Sequence, residues 1–552
     1  MSEISHTTAA NLHRSWWPNP WTLGAILVAA LVLMPIIAVV WLAFTPGEPI
    51  WSHLLATVLP RYIVNTIVLM IGVGFTCAIV GAGTAWLITM YRFPMSRVLE
   101  WALFLPLAIP GYVGAYTLVD FLEYAGPVQT GLRDVMGYTS ARDYFFPEIR
   151  TRTGAILVLS GSLFPYVYLF ARAAYREQSG AIYDVARALG HGPWSRFFRV
   201  GLPLARPALA VGVAIVLMET VNDFGTVEFF AVQTLTTGIF TVWFEKSNVA
   251  GAAQISTLLL GVILLLALVE RFGRNQLRFY QKARRSLPIE KVRLTGGQGA
   301  LAFLACALPV GFAFVLPVAV MLNLSLLSKG VWLSEGLLRS LVNTLLVAGA
   351  AAFLTVVGAI FMVYGVRMMR QRLPKMLMPV TSIGYAAPGA VLGIGILIPL
   401  AAMDNALADL IEGLTGADIG LLMTGSVGAL IFAYFVRFFA IAQGATDAAM
   451  GRVPPNLSLA ARALGKGPMA VLRQVQIPLV RGSIGTALLL VFVDCVKELP
   501  ATLILRPFNF DTLATRTYEQ ASLERISSAA PSALMIMFVG MGAVFLLARA
   551  NR

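Results

Sequence analysis

Ala186-Arg187-Ala188-Leu189-Gly190-His191-Gly192-Pro193 returns almost letter for letter, 275 residues further on, as Ala461-Arg462-Ala463-Leu464-Gly465-Lys466-Gly467-Pro468. The match runs past this core. Val200, Leu202 and Pro203 follow Gly190 at the offsets at which Val475, Ile477 and Pro478 follow Gly465. Two more echoes, Val64-Asn65-Thr66 with Val342-Asn343-Thr344 and Pro110-Gly111 with Pro388-Gly389, share a shift of 278 residues. Self-similarity at nearly constant spacing, with a short insertion or deletion between the echoes, marks a duplicated chain. We read two halves, 1–272 and 299–552, joined by residues 273–298, a stretch rich in Arg, Lys and Gln with no apolar period.

Composition sets the class. The 552 residues are 58% hydrophobic and only 12% charged, with a mean hydropathy of +0.78. Soluble domains run nearer half apolar and a quarter charged, so this is a polytopic membrane protein. Runs near the roughly twenty residues that cross about 30 Å of hydrocarbon occur six times in each half. The first half has Leu23 to Phe44, Ile63 to Met90, Val98 to Leu122, Gly154 to Tyr175, Pro207 to Asp223 and Ile255 to Val269. The second has Leu301 to Leu322, Leu341 to Val366, Leu377 to Met403, Leu422 to Ile441, Ile484 to Val496 and Pro531 to Ala548. The fifth run of each half is short and interrupted. Trp16, Trp17 and Trp21 lead into the first run, which is too long for a signal-peptide core, and fit a membrane interface. The predicted fold is all-α, with twelve transmembrane helices as two parallel six-helix repeats.

The net charge of +14 is explained by topology. With the N-terminus in the cytoplasm, about 29 of the 41 basic residues fall on that side and about 11 outside. Arg437 to Arg481 is one of the groups counted as cytoplasmic. Both termini and both copies of the repeated stretch then face the cytoplasm, and nucleic acid is not an expected partner. Cys77, Cys306 and Cys495 lie in or beside apolar runs without metal-ligand spacing, and are read as packing residues. The long external connections, Asp120 to Thr153, Asp223 to Gln254, Asp404 to Asp418 and Arg506 to Ala530, carry mixed charge. They either dock a soluble protein or are simply solvated.

Each copy of the repeat begins as a short helix. Ile182, Val185, Ala186 and Leu189 fall at i, i+3, i+4 and i+7, as do Leu457, Ala460, Ala461 and Leu464. Gly190 and Gly465 stand where a helix stops in a left-handed residue, and Pro193 and Pro468 where the next one starts. The second, short helix presents Trp194, Phe197 and Phe198 in one copy, and Met469 and Leu472 in the other. Such a knob either inserts into a groove on a partner or lies on the membrane surface. Duplication on one face favours the partner.

At these residues the chain resembles the permease subunits of binding-protein-dependent ABC importers, of the type I (MetI-like) fold. The family's cytoplasmic signature is matched by Asp184, Val185 and Ala186 with Gly190, Val200, Leu202 and Pro203. It is matched again by Leu459, Ala460 and Ala461 with Gly465, Val475, Ile477 and Pro478, where Leu459 replaces the acid. The resemblance implies coupling helices at about 182–200 and 457–475, with Asp184, Ala186, Arg187, Gly190, Pro193 and Pro203, and Ala460, Ala461, Arg462, Gly465, Pro468 and Pro478, meeting two copies of an ATPase subunit. It implies a bacterial inner membrane location and a soluble binding protein on the outer face. Asn222-Asp223-Phe224-Gly225-Thr226, Thr236 to Phe240, Lys497 to Thr502 and Leu505 to Thr515 look like the fused ferric-iron permeases. Permeases for thiamine, phosphonates and polyamines share the signature.

No stretch forms a phosphate-binding loop, since Gly465-Lys466-Gly467 lacks both the upstream glycine and a following Ser or Thr. The chain is expected to be no enzyme and to carry no cofactor, with ATP hydrolysed by another subunit. An ion-coupled carrier also has twelve spans in parallel halves, but it leaves the duplicated knob unexplained. A scaffold without transport gives no reason for charges inside spans. Glu219, Asn222 and Asp223 lie near the end of the fifth run, and Asp494, Lys497 and Glu498 occupy the corresponding place in the second half. Charge at membrane depth is costly and faces a cavity or a partner. These six residues line a pathway, or pair locally, as Lys497 would with Asp494. Ferric ion favours oxygen ligands, so Asp223 and Glu498 are candidates for its transient contact.

Overall fold

The computed structural model describes residues 20–45, 51–280, 289–368, 372–381, 387–416 and 420–550. Trp16, Trp17, residues 281–288 of the linker and Arg552 lie outside them. Each of the twelve apolar runs lies mostly in helix among the described residues. Among the described residues, ten helices are long and apolar enough to cross a membrane by themselves. The third run is an eleventh that breaks, Ser96–Ala108 and Gly111–Met136 meeting at 95°. Pro110 causes the break, because a proline disfavours the helical conformation of its predecessor, and Ile109 is extended at φ −102° and ψ 116°. The twelfth run lies in the helix Ile526–Ala550. The ninth begins in the helix Arg372–Thr381 and continues in Gly389–Thr415, with residues 382–386 outside the described chain.

Three sequence expectations are corrected. The fifth spans are neither short nor interrupted: Pro193–Asn222 and Pro468–Val496 are 30 and 29 residues long. Each absorbs the second helix of the knob, which is the first turn of the span and not a separate short helix. A π-helical turn, at Phe197–Gly201 and Leu472–Gln476, takes up the one residue of misfit at the join. The external connection thought to open at Asp404 is still helix as far as Thr415. Asp404 is buried, and it accepts the Met423 N–H at 2.9 to 3.0 Å, holding the following loop against the helix.

The halves are interlocked. The first span packs on the eighth and ninth spans of the other half, and the seventh, Gly296–Leu327, packs on the second span and the broken third. One buried core joins Tyr112, Val221 and Phe224 of the first half to Val391, Val491 and Leu499 of the second. The sole strand pairing among the described residues is parallel, Tyr91–Arg92 with Val292–Arg293. Beside it the Lys291 ammonium donates to the Ile88 carbonyl at 2.8 Å, tying the end of the linker to the second span.

The Asn-Thr echoes have a structural purpose. Asn65 donates to the Gln233 carbonyl at 2.7 Å and Asn343 to the Asp511 carbonyl at 2.9 Å. Thr66 and Thr344 accept the backbone N–H groups of Leu235 and Leu513. These bonds seat two short helices, Leu235–Phe240 and Leu513–Ser522, each opened by a Thr–Thr capping box. Ala231 and Asn509, equivalent at the 278 shift, are both left-handed, at φ 53° and 58°. Glu498 and Asp223 still differ by 275, so the three extra residues of the second half are Arg506, Pro507 and Phe508.

Candidate functional site

The two knobs share one backbone geometry. Gly190 and Gly465 both have φ +79°. Gly190 N–H donates to the Arg187 carbonyl and His191 N–H to that of Ala186, each at 3.0 Å; Gly465 and Lys466 repeat this with Arg462 and Ala461. This pair of bonds caps the helix C-terminus and needs a left-handed residue, which only glycine adopts without a Cβ penalty. Pro193 and Pro468 sit in the first turn of the next helix. Pro203 and Pro478 occupy the turn after the π-helical join.

The expected single apolar face divides in two. Tyr183 and Ala186 turn inward, while Ile182, Val185, Leu189, Trp194 and Phe198 are exposed together with Asp184 and Arg187. In the second copy Leu457, Leu459, Leu464 and Met469 are exposed with Ala460 and Arg462, and Ala461 is half-buried. The supports beneath differ. Trp86 packs edge-on against Tyr175, Tyr183 and Phe197 under the first knob. Under the second, the Tyr364 hydroxyl donates to the Pro468 carbonyl at 2.7 Å, and Trp21 of the first span stacks on Phe361.

Thirty residues of helix, about 45 Å at 1.5 Å per residue, separate the first knob from the second site. There Glu219, Asn222, Asp223, Asp494, Lys497 and Glu498 all line one cavity of about 130 Å³. The structure thus brings together every residue that the charge-in-span argument singled out. It also supplies them with partners. Lys497 pairs with Asp494 at 2.8 Å. Asp223 accepts the N–H groups of Thr226 and Val227 at 3.0 and 3.1 Å and the Thr226 hydroxyl at 2.9 Å, capping the helix Gly225–Phe229. Glu498 accepts the Ala501 N–H at 3.0 Å at the equivalent place before Pro500–Leu505. The symmetric carboxylates are helix caps and cavity lining at once.

Gly111 and Gly389 explain how the carboxylates fit. A Cβ on Gly389 would lie 2.5 Å from Glu498 Oε1 and 2.6 Å from Arg437 Nη1; one on Gly111 would lie 2.7 Å from Thr226 Oγ1. The Pro-Gly echo therefore opens a helix and clears room for a carboxylate.

Arg437 is a correction. Counted among cytoplasmic charges, it is buried in the tenth span and pairs with Glu498 at 3.1 Å inside the cavity. Its signal was available, because it lies within the apolar run Leu422 to Ile441. Ser162 holds the corresponding position of the first half and lines the cavity too. Tyr112 Oη, Asn222 Oδ1 and Arg437 Nη1 are buried without a hydrogen-bond partner among the described residues, and all three residues line the same space. Orphaned polar atoms around a void are those a polar guest or water satisfies. Among the described residues no three His, Cys, Asp or Glu side chains are grouped to hold a metal ion. The expectation of ferric contact at Asp223 and Glu498 therefore rests on the cavity lining and not on a ready-made ligand set.

Residues 74–278 match the family described as the binding-protein-dependent transport system inner membrane component. Over 492 residues, 88% of each chain, the protein is 26% identical to the Fe(3+)-transport system permease protein FbpB 2 of Haemophilus influenzae. It is 25% identical over 284 residues to the probable sulfate transport system permease protein cysT of Chlorokybus atmophyticus, covering 50% of this chain and 95% of that one. It is 26% identical over 194 residues to the molybdenum transport system permease protein ModB of Escherichia coli, covering 34% of this chain and 81% of that one.

Proposed function

We propose that this chain, similar to the inner membrane components of binding-protein-dependent transport systems and to a ferric-iron permease, is the multi-pass permease subunit of an ABC importer and carries ferric iron through the cavity between its halves. A soluble binding protein delivers the ion on the outer face. Two ATPase subunits, which hydrolyse the ATP, seat the knobs around Gly190 and Gly465 on the cytoplasmic side, where both termini also lie.

One observation carries the coupling. The second part of each docking knob begins a continuous helix, Pro193–Asn222 in one half and Pro468–Val496 in the other, whose far end carries Glu219 or Asp494, with Asp223 and Glu498 in the residues just beyond. A stiff rod transmits a displacement at Trp194 to Asn222, or at Met469 to Asp494, without any intermediate contact. Closure of the ATPases moves two such rods together and changes the cavity between their far ends.

Charge favours a cationic cargo. Glu219, Asp223, Asp494 and Glu498 stand against Arg437 and Lys497, a formal excess of two negative charges around the cavity. Carboxylate and amide oxygens are the ligands a hard trivalent ion prefers. The pairs Arg437 with Glu498 and Lys497 with Asp494 leave neither cation as an open anion site.

The second reading is an oxyanion permease. It is favoured by the buried Arg437 Nη1, which has no partner among the described residues, and by the sulfate and molybdenum permeases among the relatives. Proteoliposomes holding the permease and its ATPase decide between them. ATP-driven uptake of radiolabelled ferric ion from the loaded binding protein is expected, without uptake of sulfate or molybdate. Uptake of either oxyanion in place of iron overturns the ferric reading, and uptake driven by an ion gradient without ATP overturns the coupling.

A further inference from the structure

A second concave surface lies at the end of the molecule remote from the knobs. It is an open groove of about 620 Å³ between the start of the second span, the start of the fourth and the turn at Phe230. The fourth span, Arg152–Glu177, ends three residues before the first knob helix begins, so its start marks the opposite membrane boundary.

Arg61, Arg150 and Arg152 line this groove, and no carboxylate does. Arg150 is tied to Glu123 at 3.0 Å and lies over the Phe229 ring. Arg61 and Arg152 are exposed, and neither forms an ion pair among the described residues. The start of a 26-residue helix, capped by Thr151, adds the positive end of its dipole to the same spot. These arginines lie on the face with fewer basic residues, where the orientation bias does not call for them.

The second observation is apolar. Val64, Ile67, Ile71, Phe75 and Ile79 are exposed at steps of three and four residues along the second span, so they form one stripe. On a membrane-crossing helix such a stripe meets acyl chains. Its upper end, Val64, is itself a wall of the groove. A cationic recess at the membrane boundary therefore runs without interruption into a lipid-facing track.

We propose that this groove binds an anionic phospholipid, its phosphodiester between Arg61 and Arg152 and one acyl chain along the stripe from Val64 to Ile79. The site belongs to the first half alone. Arg339 corresponds to Arg61, but Gly425 and Val427 stand where Arg150 and Arg152 would be needed. The bound lipid pins the second and fourth spans beside the external turn that carries Phe230.

The test uses the full chain in detergent, titrated with phosphatidylglycerol or phosphatidylethanolamine of identical acyl chains and followed by native mass spectrometry. One retained phosphatidylglycerol is expected. Arg61→Gln with Arg152→Gln should weaken it about thirtyfold, since each basic residue beside an anionic surface contributes on the order of fivefold. Arg61→Lys with Arg152→Lys, which keeps the charge, should stay within a few-fold of the parent, as should Arg339→Gln. Equal retention of the two lipids, or undiminished phosphatidylglycerol binding in the double Gln variant, overturns the proposal. Inorganic phosphate or acyl-free glycerophosphoglycerol binding as tightly as the lipid also overturns it, assigning the groove to a free phosphate.

Discussion

Glu498 Oε2 lies 3.1 Å from Arg437 Nε, and the two side chains, from the turn after the eleventh span and the middle of the tenth, are both almost wholly buried. The first half arranges the same place differently, with Ser162 for Arg437 and Asp223 bonded to Thr226. Desolvating two charges offsets most of their attraction, so the pair contributes little to stability over a neutral arrangement, whereas removing one partner is expensive.

Glu498→Gln alone is therefore expected to destabilise the protein by about 3 to 5 kcal/mol, because it strands the Arg437 cation. Adding Arg437→Ser, the first-half residue, should recover part of that loss. Thermal unfolding of Glu498→Gln, of Arg437→Ser and of the double variant in one detergent measures it; a double variant as unstable as the sum of the singles would show that the pair is not coupled.

Gly389→Ala should be the more damaging of the two Pro-Gly substitutions. Its Cβ meets the Glu498 carboxylate, the Arg437 guanidinium and, at 2.9 Å, the immovable Ala501 backbone N, whereas that of Gly111 meets chiefly the Thr226 hydroxyl. Overpacking of this kind costs about 1 to 3 kcal/mol. Comparison of uptake and melting temperature for Gly111→Ala and Gly389→Ala tests the order, and equal effects would contradict it.

Gly190 and Gly465 have open space around a built Cβ, so steric fit does not protect or punish a substitution there. The left-handed backbone does, at about 1 to 2 kcal/mol for a residue with a Cβ. Gly190→Leu and Gly465→Leu should insert normally and lose ATPase binding. Pull-down of the ATPase at parental levels by both variants would remove the docking assignment.

The knobs should also differ in strength. Trp194 and Phe198 are 76% and 57% exposed in one, where Met469 is 56% exposed in the other with Arg473 beside it. Buried aromatic anchors carry more binding energy than flexible aliphatic ones. Trp194→Ala is expected to cost ATPase affinity about tenfold or more, by roughly 2 kcal/mol, and Met469→Ala clearly less. Neither should lower the melting temperature appreciably, because both side chains are largely exposed and Trp194 stacks on Phe198, itself exposed.

Duplication, membrane class, the twelve apolar runs and the glycine-capped knobs were all determined by the sequence alone, because each is written in local spacing: a repeat shift, a hydropathy window, a helix stop signal. The six ionisable or amide residues of the cavity were legible too, since Glu219, Asp223, Asp494 and Glu498 sit where charge in a span demands a reason. What they face was not. Arg437, inside an apolar run, was counted with the cytoplasmic charges around it until the tenth span placed it against Glu498. Pro110 was visible as an echo of Pro388 but not as a turn of 95°, and the fifth spans looked short because Arg196, Arg199 and Arg206, and Arg473, Gln476 and Arg481, interrupt the apolar run before it becomes continuous. These outcomes depend on which helices from different halves meet, and at what depth. Hydropathy along a chain holds no record of that, because the same apolar face is satisfied equally well by lipid, by its own half or by the other. Only the interlocking of the two halves, with Tyr112, Phe224 and Leu499 in one core, decided that four carboxylates and two cations share a single cavity.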